Sequence, residues 1–159
     1  MTLRYHSPLS AEEQRAAGLP EPQTLAIADR VRYAELDILN HVNNKSYMTW
    51  FETLRVQYSQ RHCAPFYPSG HPPPRSVLRN ADIRFLREMV EDEDYIATAR
   101  VSAFRTTSYT VEQQLWSGDL RATLSGVMVM LTPDGSARQP LPAPLLEQFL
   151  TRDRARDDR

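Results

Sequence analysis

Apolar side chains recur along this chain with two different periods. Between Asn80 and Leu131 they fall at every second position, the spacing of strands with one buried face. Ala81, Ile83 and Phe85 alternate with Asn80, Asp82 and Arg84, and Tyr95–Ala103 alternates around Ile96, Thr98, Arg100 and Ser102. Tyr109, Val111, Gln113 and Leu115 continue the pattern, and Ser117-Gly118-Asp119 is a compact turn. Leu120–Leu131 turns apolar on both faces over Val127–Met130, which predicts a strand covered on both sides, closed by Pro133-Asp134-Gly135. A first strand is predicted over Thr24–Tyr33, with Leu25 and Ile27 on one face.

The other period is helical. Trp50, Phe51, Leu54 and Tyr58 follow Tyr47 by three, four, seven and eleven residues, and no glycine or proline interrupts Asn44 through His62. Asn43 or Asn44 is the predicted N-cap, and Pro65 ends the segment. Cys63–Pro74 holds five prolines and Gly70, so it reads as an irregular connection. At the start, residues 1–22 read as an extension with one short helix, opened by the capping box Ser10–Glu13 and stopped by Gly18. Leu141–Leu150 reads as a final helix begun by Pro142 or Pro144, and residues 151–159 as a disordered tail of mixed charge. One domain therefore spans 23–150. It is of the α+β class: a five-stranded antiparallel sheet curled round one long helix.

Composition narrows the function. Nineteen basic residues stand against twenty acidic ones, so no broad basic surface is offered to nucleic acid or an anionic membrane. No apolar stretch reaches the length of a membrane span. The N-terminal residues lack the apolar core of a secretory signal, and the lone Cys63 excludes an intrachain disulfide; both point to a cytoplasmic protein. Five isolated glycines form neither a P-loop nor a dinucleotide fingerprint. His6, His41, His62 and His71 show no metal-ligand spacing with each other or with Cys63, so no metal is expected.

The stretch Asp37-Ile38-Leu39-Asn40-His41-Val42-Asn43-Asn44 is the candidate site. It sets a carboxylate ahead of a helix start, whose unpaired N–H groups and partial positive charge can polarise a carbonyl. The backbone amides near Val42, Asn43 and Asn44 are the candidate donors. On residue type alone, Asp37 is equally a cap or turn residue, His41 a loop-packing histidine, and Asn43 and Asn44 structural caps. Tyr47, Trp50 and Phe51 read as core.

With these residues in view, the chain resembles the hotdog-fold acyl-CoA thioesterases, in particular the hydroxybenzoyl-CoA thioesterase-like group. The resemblance rests on Arg32–Asp37, His41-Val42-Asn43-Asn44, Tyr47, Trp50-Phe51-Glu52 and Arg55, with Ile83–Leu86 similar to the family's second strand and Thr107-Ser108-Tyr109 to the start of its fourth. It covers roughly residues 24–150. Two positions depart from it: Asn40 stands where many relatives have glycine before the histidine, and Glu93-Asp94 where the family often has Gly-Asp. Asn tolerates a left-handed backbone better than most residues, so Asn40 can preserve the loop.

The resemblance implies hydrolysis of an acyl thioester, with Asp37 as nucleophile or as general base on water. His41 would orient water or bind the acyl carbonyl, and Asn40, Val42, Asn43, Asn44 and Tyr47 would meet the substrate. No cofactor is expected, since coenzyme A belongs to the substrate, which is an acyl-CoA or an acyl-carrier-protein thioester. The fold implies a homodimer or homotetramer with its site near the subunit boundary, because an open sheet has edges to cover. Two other functions fit the same residues: an acyl-thioester hydratase or dehydratase using Asp37 with His41, and a non-catalytic acyl-thioester-binding module.

Overall fold

A computed structural model describes residues 2–159. Helix α1 (Ala11–Ala16) leads into β1 (Leu25–Arg30), and a turn and loop then reach α2 (Asn44–Tyr58). Strands β2 (Arg75–Phe85), β3 (Asp94–Phe104), β4 (Ser108–Ser117) and β5 (Asp119–Leu131) follow, then α3 (Ala143–Thr151) and a two-residue strand β6 (Arg156–Asp157). The main sheet runs β1-β3-β4-β5-β2, every neighbouring pair antiparallel. It wraps α2, which gives the hotdog architecture.

Aromatic bulk on one helix stripe holds the layers together. Tyr47, Trp50, Phe51, Leu54 and Tyr58 are all buried against the sheet. Trp50 stacks on Tyr95 of β3 with ring centres 4.2 Å apart. Facing them are the residues with the alternate phase of each strand, among them Ala99, Val101, Val111, Leu115 and Leu124. The helix continues past Tyr58 as a wider turn over Ser59–Cys63, and Pro65 falls in a tight turn at Ala64–Phe66, so the proline ends the regular segment.

Both ends of the chain are more ordered than their composition suggests. The N-terminal segment lies along the outer edge of β1, where the His6 and Leu9 amides donate to the Ala28 and Ala26 carbonyls at 3.0 and 2.9 Å. The charged C-terminus, expected to be disordered, is instead tied to the core. Asp153 is buried and accepts hydrogen bonds from the Tyr58 hydroxyl and, at 2.7 Å, from the Val101 amide, while Arg152 pairs with it at 2.8 Å. Beyond it, β6 pairs with Ala103 and Phe104 at the end of β3. A buried carboxylate with several donors is favourable, and that compensation is invisible in a run of mixed charge.

The two edges of the sheet therefore differ. The edge at β1 is covered by residues 5–9, whereas β2 pairs only with β5 and nine of its eleven residues are exposed. Such a strand offers a row of unsatisfied backbone groups to another chain.

Candidate active site

The loop between β1 and α2 is built on Glu35. Its carboxylate accepts from the Arg32 amide at 2.8 Å and from the Trp50 indole at 2.5 Å. Its backbone carbonyl accepts from the Asn43 amide at 2.8 Å and the Ser46 hydroxyl at 3.1 Å. One residue thus clamps the start of α2 to the segment that precedes it. Glu35 was part of the resemblance, but nothing in the sequence marked this role.

Between the clamped ends the chain makes a tight turn. The Asp37 amide donates to the His41 carbonyl at 2.8 Å, and the Asn40 amide to the Asp37 carbonyl at 3.1 Å. Asn40 adopts φ 59°, the left-handed conformation that a glycine would otherwise supply. Asp37 is half-buried, and its Oδ1 accepts from the Leu39 amide at 2.8 Å and the His41 amide at 3.3 Å. Among the described residues it is in no ion pair. One carboxylate oxygen therefore shapes the turn, while the other meets no protein donor among the described residues. The imidazole of His41, half-buried on the same turn, lies beside it in the chain.

The amides at the helix start are not equivalent. The Val42 amide donates to the buried Met89 carbonyl at 2.9 Å, and the Asn43 amide to Glu35. The Lys45 amide is capped by the Asn43 side chain at 3.0 Å. Val42 and Asn43 are thereby corrected as backbone donors to a substrate: both N–H groups are spent inside the protein. Asn44, exposed at the first helical position, keeps an N–H without a protein partner among the described residues. Asp37, Asn40 and His41 are thus tied into one turn, and Asn44 opens the helix that follows it. Tyr47 sits one turn further on, buried, with its ring edge against Trp50 at 5.5 Å and Phe85 at 5.1 Å. Burial pushes its hydroxyl up to about 12, so it stays protonated at neutral pH.

Further along α2, between that helix and β2, lies a cavity of about 450 Å³, lined mainly by apolar groups such as Val56, Leu78 and Met128, with Glu52 and Arg55 on its wall. A smaller cavity of about 70 Å³ shares Ser59, Ser76 and Tyr109 with it and reaches Cys63 and Tyr67. Arg55 is held by the fully buried Gln113, whose Oε1 accepts at 2.9 Å and whose amide donates to the Phe51 carbonyl at 2.9 Å. Burial pulls the guanidinium below its ordinary value, and nearby Glu52 opposes that. Asp37 lines neither cavity, and its chain neighbours Ile38 and Leu39 are exposed.

Residues 31–149 match the family model of the thioesterase-like superfamily. The chain belongs to that superfamily. A thioesterase-superfamily protein from Jannaschia sp. CCS1 is 41% identical, with 96% of this chain and 97% of that one covered at a TM-score of 0.86. A thioesterase from Thermus thermophilus, solved with coenzyme A and zinc, is 26% identical over 80% of this chain and 92% of its own, with a TM-score of 0.68. A probable thioesterase from Escherichia coli shares the fold at 20% identity and a TM-score of 0.68, covering 78% of this chain and 95% of that one. No curated protein matches the chain. Membership of the superfamily supports a thioester hydrolase. Among the described residues no three His, Cys, Asp or Glu side chains converge as ion ligands, and no helix is long and apolar enough to cross a membrane.

Cys63 is poorly suited to act as a nucleophile. The thiol is buried, and loss of solvation pushes it up to about 12, so the reactive thiolate is scarce at neutral pH. A thiol-specific reagent should leave the native protein unmodified at neutral pH and label it at once in denaturant; rapid labelling of the native chain, followed by mass spectrometry, would contradict this burial.

Proposed function

We propose that this protein hydrolyses acyl-CoA thioesters, with the Asp37 carboxylate acting at a carbonyl held by the Asn44 N–H. The observation that carries the reading is the division of labour at the helix start. The amides of Val42, Asn43 and Lys45 are satisfied within the protein, and the one at the first helical position is not. That N–H, with the dipole of α2 behind it, suits a thioester oxygen, which becomes an oxyanion as the carbon turns tetrahedral. Asp37 has no cation to neutralise it among the described residues. It can add to the carbonyl carbon, expelling the thiolate to leave a mixed anhydride that water cleaves. Equally, it can take a proton from water as that water attacks. Both routes give a free acid and coenzyme A. His41 stands ready to orient the water.

The largely apolar cavity between α2 and β2, with Val56 and Leu78 in its wall, then receives the acyl chain. That arrangement favours a hydrophobic acyl group over a short polar one. The thioesterase from Thermus thermophilus was solved with coenzyme A, which supports the same carrier here.

A second copy of the chain completes the site in this reading. The free edge of β2 ends at Phe85, whose ring meets Tyr47 of α2; Phe85 and Leu86 are 46% and 55% exposed, and Ile38 and Leu39, next to Asp37 in the chain, are 99% and 67% exposed. Pairing β2 with β2 of a second copy satisfies the edge and covers exposed apolar side chains in one step. Light scattering should give a mass of at least twice 18.3 kDa; a monomer that still hydrolyses substrate would remove the shared site.

The catalytic assignment is tested by Asp37→Asn. The asparagine oxygen can still accept from the Leu39 and His41 amides, so the turn survives while the charge is lost. Thiol release from a panel of acyl-CoA substrates should fall by roughly a hundredfold to ten-thousandfold with an unchanged melting curve. Equal rates for the two proteins would take Asp37 out of the mechanism. Hydration of an enoyl thioester without thiol release would point to the hydratase instead.

A further inference from the structure

On the sheet face turned away from α2, a polar cavity of about 340 Å³ opens between β2, the β3–β4 turn and the segment after β5. Thr110 and Val127 lie in its floor; their neighbours Tyr109, Val111 and Met128 belong to the core, so strand alternation sends these two to the opposite face. The floor is one continuous row across the sheet, in which Ala103 pairs with Thr110, Thr110 with Val127, and Val127 with Asn80. Beside this row the ladder is broken twice. The β3 register skips Ser102, and the β2 register skips Arg79. A bulge bends its strand and re-aims a side chain, and bulges gather beside functional sites. Two of them flanking one row make a hollow where a regular sheet would be flat.

Arginines surround that hollow. Arg79 enters from the β2 bulge, Arg105 from the β3–β4 turn and Arg138 from the segment after β5. This chain has a single lysine, Lys45, and relies on arginine for positive charge. Most of its arginines are paired with carboxylates, yet none of these three forms a salt bridge among the described residues. The one carboxylate on the wall, Asp158, is held by two bonds from Arg156 at 2.6 and 2.9 Å, with Arg105 near enough to add to its field. Three unpaired guanidiniums round one concavity repel each other unless an anion joins them.

The walls are also fixed in place. The Arg105 amide donates to the Ser108 carbonyl at 2.8 Å, closing the turn. The Met130 and Leu141 amides donate to the Thr107 and Thr106 carbonyls, each at 2.9 Å, so the segment after β5 is laced to the same turn. Thr106, Thr107 and Ser108 line the cavity together with the guanidiniums. Planar forks that donate in pairs, with hydroxyls between them, are the chemistry that recognises phosphate oxygens.

We propose that this cavity binds the phosphate groups of a nucleotide. Its volume is that of a small-molecule site and larger than one inorganic phosphate needs. The proposal stands apart from the role of Asp37, because it needs no thioester. Two sources carry the same chemistry: a free nucleotide, or the phosphorylated end of coenzyme A.

The test is calorimetric titration of the full-length protein with adenosine 3′,5′-bisphosphate, beside Arg79→Gln, Arg105→Gln and Arg138→Gln, all checked for an unchanged melting curve. Saturable binding is expected, weakened about tenfold by each substitution and weakened further as salt rises. Competition separates the sources. Displacement of the bisphosphate by coenzyme A identifies the substrate's own phosphates, and persistence of bisphosphate binding under saturating coenzyme A identifies a separate nucleotide site. No saturable binding at millimolar ligand, or equal affinity in all four proteins, overturns the proposal. Binding of an acidic peptide in place of the bisphosphate overturns it too. Since neither ligand can be hydrolysed as a thioester, a failure here is distinct from inactivity at Asp37.

Discussion

The clamp made by Glu35 is the constraint on which the site depends. Its carbonyl and carboxylate hold both sides of the β1–α2 loop, reaching Asn43, Ser46 and Trp50 at the helix and Arg32 on the β1 side. A helix start left to solvent would share its unsatisfied amides among waters and fray. Here Glu35, Met89 and the Asn43 side chain take up the amides of Asn43, Val42 and Lys45, and among the described residues the Asn44 N–H is left without a protein acceptor. The indole that binds Glu35 also stacks on Tyr95, so the clamp is continuous with the aromatic core. Packing of the central helix and the free N–H at its start are in this way two ends of one structure.

The edge strand has a comparable double character. β2 is poorly covered, which weakens the isolated chain, yet the same strand forms one wall of the apolar cavity beside α2. In contrast, the N-terminal segment closes the β1 edge with backbone hydrogen bonds. Only one side of the sheet is left for assembly or for ligand. The bulge at Arg79 adds a second use of that strand, since it turns a guanidinium towards the outer face while Leu78 stays packed on the core.

Much of this was legible in the residues. Tyr47, Trp50, Phe51, Leu54 and Tyr58 announced the central helix because burial and the helical period coincide there. The alternating strands were readable for the same reason, as was Asn40, whose side chain tolerates the positive φ that the turn requires. What stayed hidden depends on partners distant in the chain. Nothing local distinguishes the Val42 amide from that of Asn44; the difference is made by Met89, far along the sequence, and by Glu35. The ordered C-terminus was hidden likewise, because Asp153 is satisfied by Tyr58 and Val101. Register slips leave no compositional trace either, so the cavity beside Arg79 could not be foreseen.

The central claim is that one backbone N–H, at Asn44, carries the developing charge. Proline at the first position of a helix keeps the helical backbone and removes that hydrogen, and Asn43 before it already has the extended conformation, φ −67° and ψ 141°, that a following proline requires. Turnover of the Asn44→Pro protein, set against Asn44→Ala to account for the side chain, is therefore the most direct measurement. The account predicts an unchanged melting temperature, near-normal turnover for the alanine variant, and a loss of roughly a hundredfold to a thousandfold for the proline variant. Normal turnover with proline at this position would contradict it.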